Sequence, residues 1–594
     1  MWRKDLYVQE AKRQLEDKTS YSEIATSTVK PDNTLIRKTI KSAIEEGHLP
    51  TEAINAVKTE PKESSFYLLP KIHKTNTPGR PIVSACACPT VIISDVIDKI
   101  LQPLVSTLPT YIKDTNDTLR LLESFSLPND CLERHIFTLD IVSLYTSIPH
   151  SDGLQALKHY LAKSDFDNLH IPTILRLAEL VLTLNSFVFE DRHYQQTRGV
   201  AMGTKMGPSF ACLFVGFVEE QAMDKYAGTK PTLFKRYIDD CLGVSVGPKE
   251  DLVSFINHIS NFHPALKYTH EISTTSVSFL DLSISFDPNC CKLSTTIFYK
   301  PTDSHAYLLY SSSHPSSTRN SIPYSQFQRL RRICSKEQDF NQEAQKMASF
   351  FKARKYPEDV VQTALERARS TSRTEALTPR EMVGESEDRV VAVIPYHPHN
   401  IPICRILHEN FHLLHQDPEL KQIFPKPPLI AFQRNKNLRD LLVRSKLRPQ
   451  ANQSSPPGCR PCGDKKCKTC PFINTATTIA GPTGTFTVKS SLSCKSSDLV
   501  YVLSCTLCSK MYVGETCRCL AERFSEHLRS MKLGYSNPVG QHFTGPYHSF
   551  SHARVSAVWQ NPRGRAYRKH MENLLISRLG TMQPVGMNIR ATDA

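Results

Sequence analysis

Two adjacent aspartates interrupt a run of strand-forming residues at 234–246, and this run constrains the fold more than any other feature of the chain. The residues on either side of Asp239 and Asp240 are mainly aromatic and aliphatic, which favours extended backbone. Aspartate is depleted in strands and common in turns. The pattern therefore predicts two antiparallel strands with adjacent carboxylates at the turn. Because such carboxylates repel each other, a divalent cation with oxygen ligands, most readily Mg²⁺, would stabilise them.

A third carboxylate, Asp140, lies within the strand-like run 136–148. A charge inside an apolar strand costs free energy unless it is paired or bound to a metal. Taken alone, Asp239 and Asp240 favour a solvated surface turn over a metal site, so the metal site requires a further carboxylate on a neighbouring strand. We expect Asp140 to lie beside this turn, where the carboxylates would hold two Mg²⁺ or Mn²⁺ ions for in-line phosphoryl transfer.

These segments resemble motifs A and C in the palm of a reverse transcriptase, and the chain is most similar to the polymerases of Penelope-like retroelements. The further blocks of that family are matched by residues 67–74 and 79–84 in the fingers, 198–208 as motif B, and 279–282 and 299–302 after the catalytic turn. The resemblance implies that Asp140 and Asp239 bind both metals and that Asp240 supports them.

The same resemblance implies a nucleotide-binding set around the carboxylates. Arg80, with Lys71 or Lys74, would hold the triphosphate of the incoming nucleotide and offset its charge. Tyr145 stands where an aromatic ring blocks the ribose 2′-hydroxyl, which implies selectivity for deoxynucleotides. Gly203 would let the backbone approach the base pair closely. The alternatives are solvated surface for the basic residues, a core position for Tyr145 and a tight turn for Gly203.

Half of the 18 cysteines fall between residues 459 and 519. The N-terminus has no signal-peptide core, so we expect a reducing compartment in which cysteines are thiols or metal ligands. Two sets have spacings suited to structural Zn²⁺: Cys459, Cys462, Cys467 and Cys470, and then Cys505, Cys508, His542 and His548. Cys494 is a further candidate, and the first set could share one ion or divide between two.

The C-terminal region resembles a GIY-YIG endonuclease. Leu499-Val500-Tyr501 stands in place of Gly-Ile-Tyr without the first glycine, and Tyr512-Val513-Gly514 stands in place of Tyr-Ile-Gly. The resemblance implies these roles: Tyr501 and Tyr512 line the site, Arg523 contacts the scissile phosphate, His527 assists, Glu572 holds a Mg²⁺ ion, and Asn588 belongs to the closing block. Ordinary strand and surface positions are the alternative for each residue, and their joint order favours the nuclease. The cysteine pair between the tyrosine motifs is a feature of the Penelope-like branch.

A chain of 594 residues exceeds what one hydrophobic core supports, and its 73 basic against 58 acidic side chains suit a polyanionic partner. We expect an α/β (α+β) architecture: a right-hand polymerase with fingers, an antiparallel palm sheet and a helical thumb, then a basic helical connector and a small α/β nuclease. The expected domains are 1–60 (N-terminal helices), 61–291 (fingers and palm), 292–370 (thumb), 371–389 (linker), 390–458 (connector), 459–494 (Cys-rich) and 495–594 (nuclease).

The function that the resemblance implies is target-primed reverse transcription by an RNA-directed DNA polymerase with an attached DNA-nicking endonuclease. Its partners would be template RNA, target and primer DNA, and deoxynucleoside triphosphates. No apolar run approaches the roughly 20 residues that cross a bilayer, so we expect no membrane and a nuclear location. Two alternatives stay open: a decayed or host-adopted nucleic-acid-binding protein, consistent with an N-terminus shorter than the family's, and a telomerase-like polymerase, against which the nuclease argues.

Overall fold

The computed structural model describes most of the chain in two compact units, Met1–Leu447 and Arg448–Ala594. The described residues are 3–72, 76–127, 133–164, 170–287, 292–379, 390–397, 403–435, 437–438, 440, 457–464, 467–561 and 564–589. Within these ranges, no helix is long and apolar enough to span a membrane. The boundary between the units falls inside the predicted connector.

The first unit alternates strands and helices. Its strands are β1 (Tyr21–Ile24), β2 (Ser64–Pro70), β3 (Gly79–Ser84), β4 (Arg134–Ile141), β5 (Ser186–Phe189), β6 (Arg192–Gln196), β7 (Leu233–Tyr237), β8 (Asp240–Val246), β9 (Tyr268–Ser273), β10 (Ser276–Phe279), β11 (Leu282–Phe286), β12 (Leu293–Ile297), β13 (Val391–Pro395) and β14 (Leu429–Gln433). Its helices are α1 (Lys4–Leu15), α2 (Val29–Glu45), α3 (Val91–Ser106), α4 (Thr115–Ser124), α5 (Leu144–Ser147), α6 (His150–Ala162), α7 (Ile171–Thr183), α8 (Gly207–Lys225), α9 (Lys249–Phe262), α10 (Ser316–Ile333), α11 (Glu337–Ala353), α12 (Glu358–Ser370), α13 (Arg373–Leu377), α14 (Ile403–Asn410) and α15 (Pro418–Ile423).

The palm is a four-stranded antiparallel sheet in the order β7-β8-β4-β9. Because successive side chains of a strand point to opposite faces, β4 contributes to two cores. Phe137 and Leu139 pack in one core with residues of α9, while Ile136 belongs to the core that contains the apolar residues of α10, α11 and α12. Strand β4 is thereby covered on both faces of the sheet.

The fingers contain a five-stranded sheet in the order β1-β6-β5-β2-β3. Aromatic residues form its core, with the rings of Phe66 and Phe187 stacked at a centroid distance of 5.4 Å. The N-terminal region is not wholly helical, because β1 pairs with β6 and places Tyr21 edge-on to Phe187. A strand of four residues is stabilised only by such long-range pairing, which the local sequence pattern does not reveal.

Helices α10 to α12 follow the small antiparallel sheet β10-β11-β12 and share its core. Within the predicted linker, α13 packs on α4, while residues 380–389 lie outside the described part of the chain. The predicted connector contains strands as well as helices: β13 and β14 run parallel, with α14 and α15 between them in sequence. Residues 441–456, near the end of the predicted connector, also lie outside the described residues.

The second unit is built around a three-stranded antiparallel sheet in the order β20-β19-β21. Its strands are β15 (Gly458–Arg460), β16 (Thr478–Ala480), β17 (Thr485–Thr487), β18 (Ser491–Ser493), β19 (Leu499–Cys505), β20 (Met511–Thr516) and β21 (Ala553–Gln560), and its helices are α16 (Leu520–Leu533), α17 (Pro538–Phe543) and α18 (Arg565–Leu579). The central strand β19 is almost entirely buried, in keeping with its continuous apolar run.

Candidate active sites

The three palm carboxylates meet where β4 ends and β8 begins. Asp140 and Asp240 face each other in the register of these strands, and β7 pairs with β8 across the turn that contains Ile238 and Asp239. The amide of Ile141 donates a hydrogen bond of 3.0 Å to the carbonyl oxygen of Asp239, which fastens the turn to the strand of Asp140. Acids that are about 100 positions apart in the sequence therefore share one small region.

The electrostatics of Asp239 show which groups surround it. Burial raises its pKa above the ordinary value, and the charge of Asp140 acts in the same direction. Arg80 and Lys71 act in the opposite direction, so both lie within electrostatic range of the carboxylate. Lys74, the other predicted triphosphate ligand, lies outside the described residues. The site is an acidic pair with two basic groups near it, which suits metal ions and a polyphosphate.

Tyr145 lies on α5, directly beside the motif B loop. The amide of Val200 donates to the carbonyl oxygen of Tyr145 at 2.7 Å. Burial raises the pKa of the Tyr145 hydroxyl, and the charge of Asp239 contributes to the rise. Gly207 borders the ring, because a Cβ added there would lie 3.8 Å from Cε1 of Tyr145. The ring thus stands between the carboxylates and motif B, where a ribose gate is expected.

Gly203 has a structural reason to be glycine. Its φ is +128°, and an added Cβ would lie 2.2 Å from the carbonyl oxygen of Val83. The amide of Val83 in turn donates to the carbonyl oxygen of Met202 at 2.9 Å. The motif B loop therefore runs against the fingers strand β3, and this contact accounts for the glycine without a nucleotide.

Two functional candidates in the palm were not predicted from the sequence. Arg236 and Glu219 form an ion pair whose side chains are 0% and 3% exposed. Arg236 follows Lys235, and two consecutive basic residues resemble a solvated surface. Glu219 did carry a signal, since it directly follows a long apolar stretch of α8.

In the second unit, three of the predicted nuclease residues form one hydrogen-bonded chain. The Tyr501 hydroxyl lies 2.7 Å from Nε2 of His527, and Nε of Arg523 donates to the same hydroxyl at 3.1 Å. Because arginine can only donate, the Tyr501 oxygen accepts from Arg523. The Tyr512 and His527 rings are 5.7 Å apart. Gly514 leaves the space for this hydroxyl, since a Cβ there would lie 2.5 Å from it.

Burial determines the charge states of His527, Tyr501 and Tyr512. It lowers the pKa of His527 to about 3, and Arg523 acts in the same direction, so the imidazole is neutral near pH 7. Burial also raises the pKa of Tyr501 and of Tyr512, which keeps both phenols protonated. The positive charge of the site is therefore carried by Arg523.

Glu572 and Asn588 lie near the end of the described chain, and both side chains hydrogen-bond to the backbone of β20. Oε1 of Glu572 accepts from the amide of Glu515 at 3.0 Å. Asn588 accepts from the amide of Val513 and donates to its carbonyl oxygen, both at 2.9 Å, so it fixes the backbone of β20. Arg568, which was not predicted, is buried and donates to Glu515 at 3.0 Å. Its position on a charged helix gave no sign of this contact.

Two sets of possible metal ligands form among the described residues of the second unit. In each, the ligand atoms lie within 4.8 Å of one another: Cys462, Cys467, Cys470 and Cys494, and then Cys505, Cys508, His542 and His548. The second set has the predicted composition. The first contains Cys494 in place of Cys459, because Cys459 is buried elsewhere and hydrogen-bonds Ser556. Four thiolates, or two thiolates and two imidazoles, are a donor set that fits tetrahedral Zn²⁺.

Two sequence profiles match the first unit. Residues 72–286 match the family described as reverse transcriptase (RNA-dependent DNA polymerase), and residues 306–366 match an animal helix-turn-helix domain. The first match contains Asp140, Asp239 and Asp240, and the second contains most of α10 to α12. The predicted reverse transcriptase domain and the right-hand polymerase architecture are thereby confirmed.

Solved structures with a similar fold include telomerases and a viral polymerase. Telomerase from Candida albicans in complex with a TWJ fragment of telomeric RNA is 12% identical with a TM-score of 0.42, and the match covers 60% of this chain and 59% of that one. Sicinivirus 3Dpol RNA-dependent RNA polymerase is 12% identical with a TM-score of 0.37, over 57% of this chain and 71% of that one. The chain spans about 59% of the length of the first. No curated protein matches the chain.

Proposed function

Because residues 72–286 form a reverse transcriptase domain, we propose that the protein is the RNA-directed DNA polymerase of a Penelope-like retroelement, with a DNA-nicking endonuclease in its second unit. One observation supports the polymerase above all others: Asp140, Asp239 and Asp240 converge at the end of two neighbouring strands, and Asp239 lies within electrostatic range of Arg80 and Lys71. An RNA- or DNA-binding protein without catalysis has no need of these carboxylates.

In the proposed polymerase reaction, the primer 3′-oxygen bonds to the α-phosphorus of a deoxynucleoside triphosphate and pyrophosphate leaves. Asp140 and Asp239 would hold Mg²⁺ or Mn²⁺ with support from Asp240, and the ions, when bound, supply activation of the attacking oxygen and charge neutralisation at the leaving group. Arg80 and Lys71 offset the negative charge of the triphosphate. The half-buried ring of Tyr145 excludes a 2′-hydroxyl, which selects deoxynucleotides.

In the proposed nicking reaction, water attacks a DNA phosphorus and the bond to the 3′-oxygen breaks. The Tyr501 hydroxyl would take the proton of the attacking water while its own proton passes to Nε2 of His527, and the leaving 3′-oxygen would take a proton from solvent water. Arg523 also carries the positive charge that stabilises the phosphorane. Tyr512 lines the site, and Glu572 would hold a Mg²⁺ ion that polarises the water. Zn²⁺ at the two Cys-rich sets would order the loops around it.

The two activities suit target-primed reverse transcription in the nucleus. A nick that frees a 3′-hydroxyl supplies the primer that the polymerase extends along the element RNA. The partners are then template RNA, target DNA and deoxynucleoside triphosphates, which agrees with the chain's net charge of +15. A telomerase-like polymerase would extend an existing end and has no use for a nuclease.

Primer extension on poly(rA)/oligo(dT) tests the polymerase. We expect the wild type to extend the primer, the Asp239→Asn variant to lose extension, and the Asp359→Asn variant, changed at an exposed position of α12, to keep it. Equal extension by the first two proteins would contradict the assignment. Nicking of supercoiled plasmid tests the second unit in the same way, with Glu572→Ala as the variant and the exposed Glu522→Ala as its control.

A further inference from the structure

The guanidinium of Arg236 contacts the carboxylate turn from inside the palm. Its Nε and Nη2 donate to the two carboxylate oxygens of Glu219 at 2.8 and 3.0 Å. Nη2 also donates to the carbonyl oxygen of Cys212 at 3.3 Å, and Nη1 donates to the carbonyl oxygen of Ile238 at 3.0 Å. One buried side chain thus joins helix α8 to the peptide that precedes Asp239.

The backbone that Arg236 holds is strained. Ile238 has a φ of +55°, in the left-handed region that a β-branched residue adopts at a cost. It stands between the end of β7 and Asp239, so its conformation sets the direction in which Asp239 leaves the strand. Surrounding contacts must hold such a residue in place. Arg236 holds it on one side, and the bond from Ile141 to the Asp239 carbonyl holds it on the other.

A second set of contacts fixes Arg236 itself. Its amide donates to the carbonyl oxygen of Thr110 at 2.6 Å, and the amide of Ile112 donates back to the Arg236 carbonyl at 2.8 Å. The Thr110 hydroxyl donates to Oε2 of Glu219 at 2.7 Å, the same oxygen that accepts from Arg236. The ion pair is therefore fixed in position by three separate parts of the chain.

Stability alone does not explain a fully buried ion pair. The cost of removing both charges from water largely cancels their attraction, and an apolar pair of similar volume serves a core as well or better. What guanidinium offers is a planar set of donors in a fixed geometry, which a lysine ammonium cannot reproduce. At Arg236 that geometry reaches three acceptor groups on two elements, one of which is the catalytic turn.

We propose that Arg236 is a positioning residue of the polymerase: held by Glu219, it fixes the Ile238 carbonyl and thereby the placement of Asp239 relative to Asp140. The inference rests on the proposed polymerase function. Because Cys212 and Glu219 lie on α8, which begins at the motif B loop, the same side chain also links the nucleotide side of the site to its carboxylates. Loss of this link would loosen the metal-binding geometry without removing a ligand.

The test is primer extension by the full-length protein on poly(rA)/oligo(dT), with Mg²⁺ titrated. We expect Arg236→Lys to lower kcat by about 10- to 100-fold, since small displacements of catalytic groups have effects of this size. The Mg²⁺ concentration for half-maximal rate should rise several-fold, while KM for dTTP changes little. Thr110→Val removes one hydrogen bond to Glu219 and keeps the ion pair. It should lower kcat and raise the Mg²⁺ concentration for half-maximal rate, each by less than Arg236→Lys does.

Val181→Ala is the matched control, because Val181 is fully buried in α7, a helix that contributes neither a carboxylate nor a partner of Arg236 to the site. It should lower the melting temperature and leave the Mg²⁺ dependence unchanged. The inference is overturned if folded Arg236→Lys keeps the wild-type kcat and Mg²⁺ dependence, or behaves as Val181→Ala does. If Arg236→Lys does not fold, Thr110→Val decides by the same criteria. A wild type that extends no primer would instead refute the polymerase assignment itself.

Discussion

The carboxylate site of the palm and the tyrosine site of the second unit use opposite electrostatic designs. In the palm, acids repel one another beside basic groups, an arrangement that bound cations and phosphates would stabilise. Around Tyr501 the phenol and imidazole are buried and neutral, and the positive charge is that of Arg523. The activity proposed for the palm therefore depends on the distances between its charged groups. The activity proposed for the second site depends on the direction of its hydrogen bonds. Single changes should separate the two activities.

The largest effect is expected at Asp140. Replacement by asparagine removes a metal ligand and should lower primer extension by about three orders of magnitude, since metal stabilisation of the transition state is worth several kcal/mol. Plasmid nicking by the same variant should stay at the wild-type level. Nicking that falls in parallel with extension would show that the two sites are not independent.

Tyr501→Phe should give the converse result. It removes one hydroxyl, and with it the acceptor of Arg523 and the hydrogen-bond partner of His527, so nicking should fall by about 100-fold, as for loss of a general base. Primer extension should not change. Tyr567→Phe is the control, because Tyr567 lies exposed on the neighbouring helix α18. Nicking that survives Tyr501→Phe but not Tyr567→Phe would place the site elsewhere.

Acid should destabilise the second unit through His527. Its pKa is lowered from 6.5 to about 3 on folding, so the unfolded chain binds more protons between these values. The stabilisation is fully present above pH 6.5 and is lost as pH falls towards 3, by about 2 kcal/mol at pH 5. Urea unfolding followed by Trp559 fluorescence, in a Trp2→Phe background, measures this. His527→Gln should unfold with less pH dependence than the wild type between pH 5 and 7.

Tyr145→Val should relax sugar discrimination by about tenfold, because the opened space admits a ribose hydroxyl. Tyr145→Phe keeps the ring and should keep the discrimination. Competition between dTTP and UTP in primer extension measures both variants. A loss of discrimination in the phenylalanine variant would assign the selection to the hydroxyl instead of the ring.

The zinc content of two serine variants should show whether Cys459 or Cys494 is a ligand in the first Cys-rich set. We expect two zinc ions per chain by mass spectrometry, one in Cys494→Ser and two in Cys459→Ser. This halving is the smallest expected effect, and it tests the ligand set directly. One ion in Cys459→Ser and two in Cys494→Ser would restore the partition that the spacing alone favours.

The palm carboxylates were predictable because a charge in an apolar strand is costly, and each such charge calls for a partner. The convergence of Arg523 and His527 was also predictable, since residues four apart lie on one face of a helix. The contacts of Arg236, the pairing of β1 with β6 and the choice of Cys494 over Cys459 were not. Each depends on a contact between residues that are far apart in the sequence, and the spacing of nearby residues does not predict such a contact.

Cleavage of the backbone by bound Fe²⁺ tests the central claim most directly. With Fe²⁺ in place of Mg²⁺, ascorbate and peroxide generate hydroxyl radicals that cut the chain within a few ångströms of the ion. We expect cuts near both Asp140 and Asp239, and these cuts should be competed by Mg²⁺ and absent in the Asp239→Asn variant. Cuts at only one of these positions, or cuts that persist in the variant, would contradict a shared metal site.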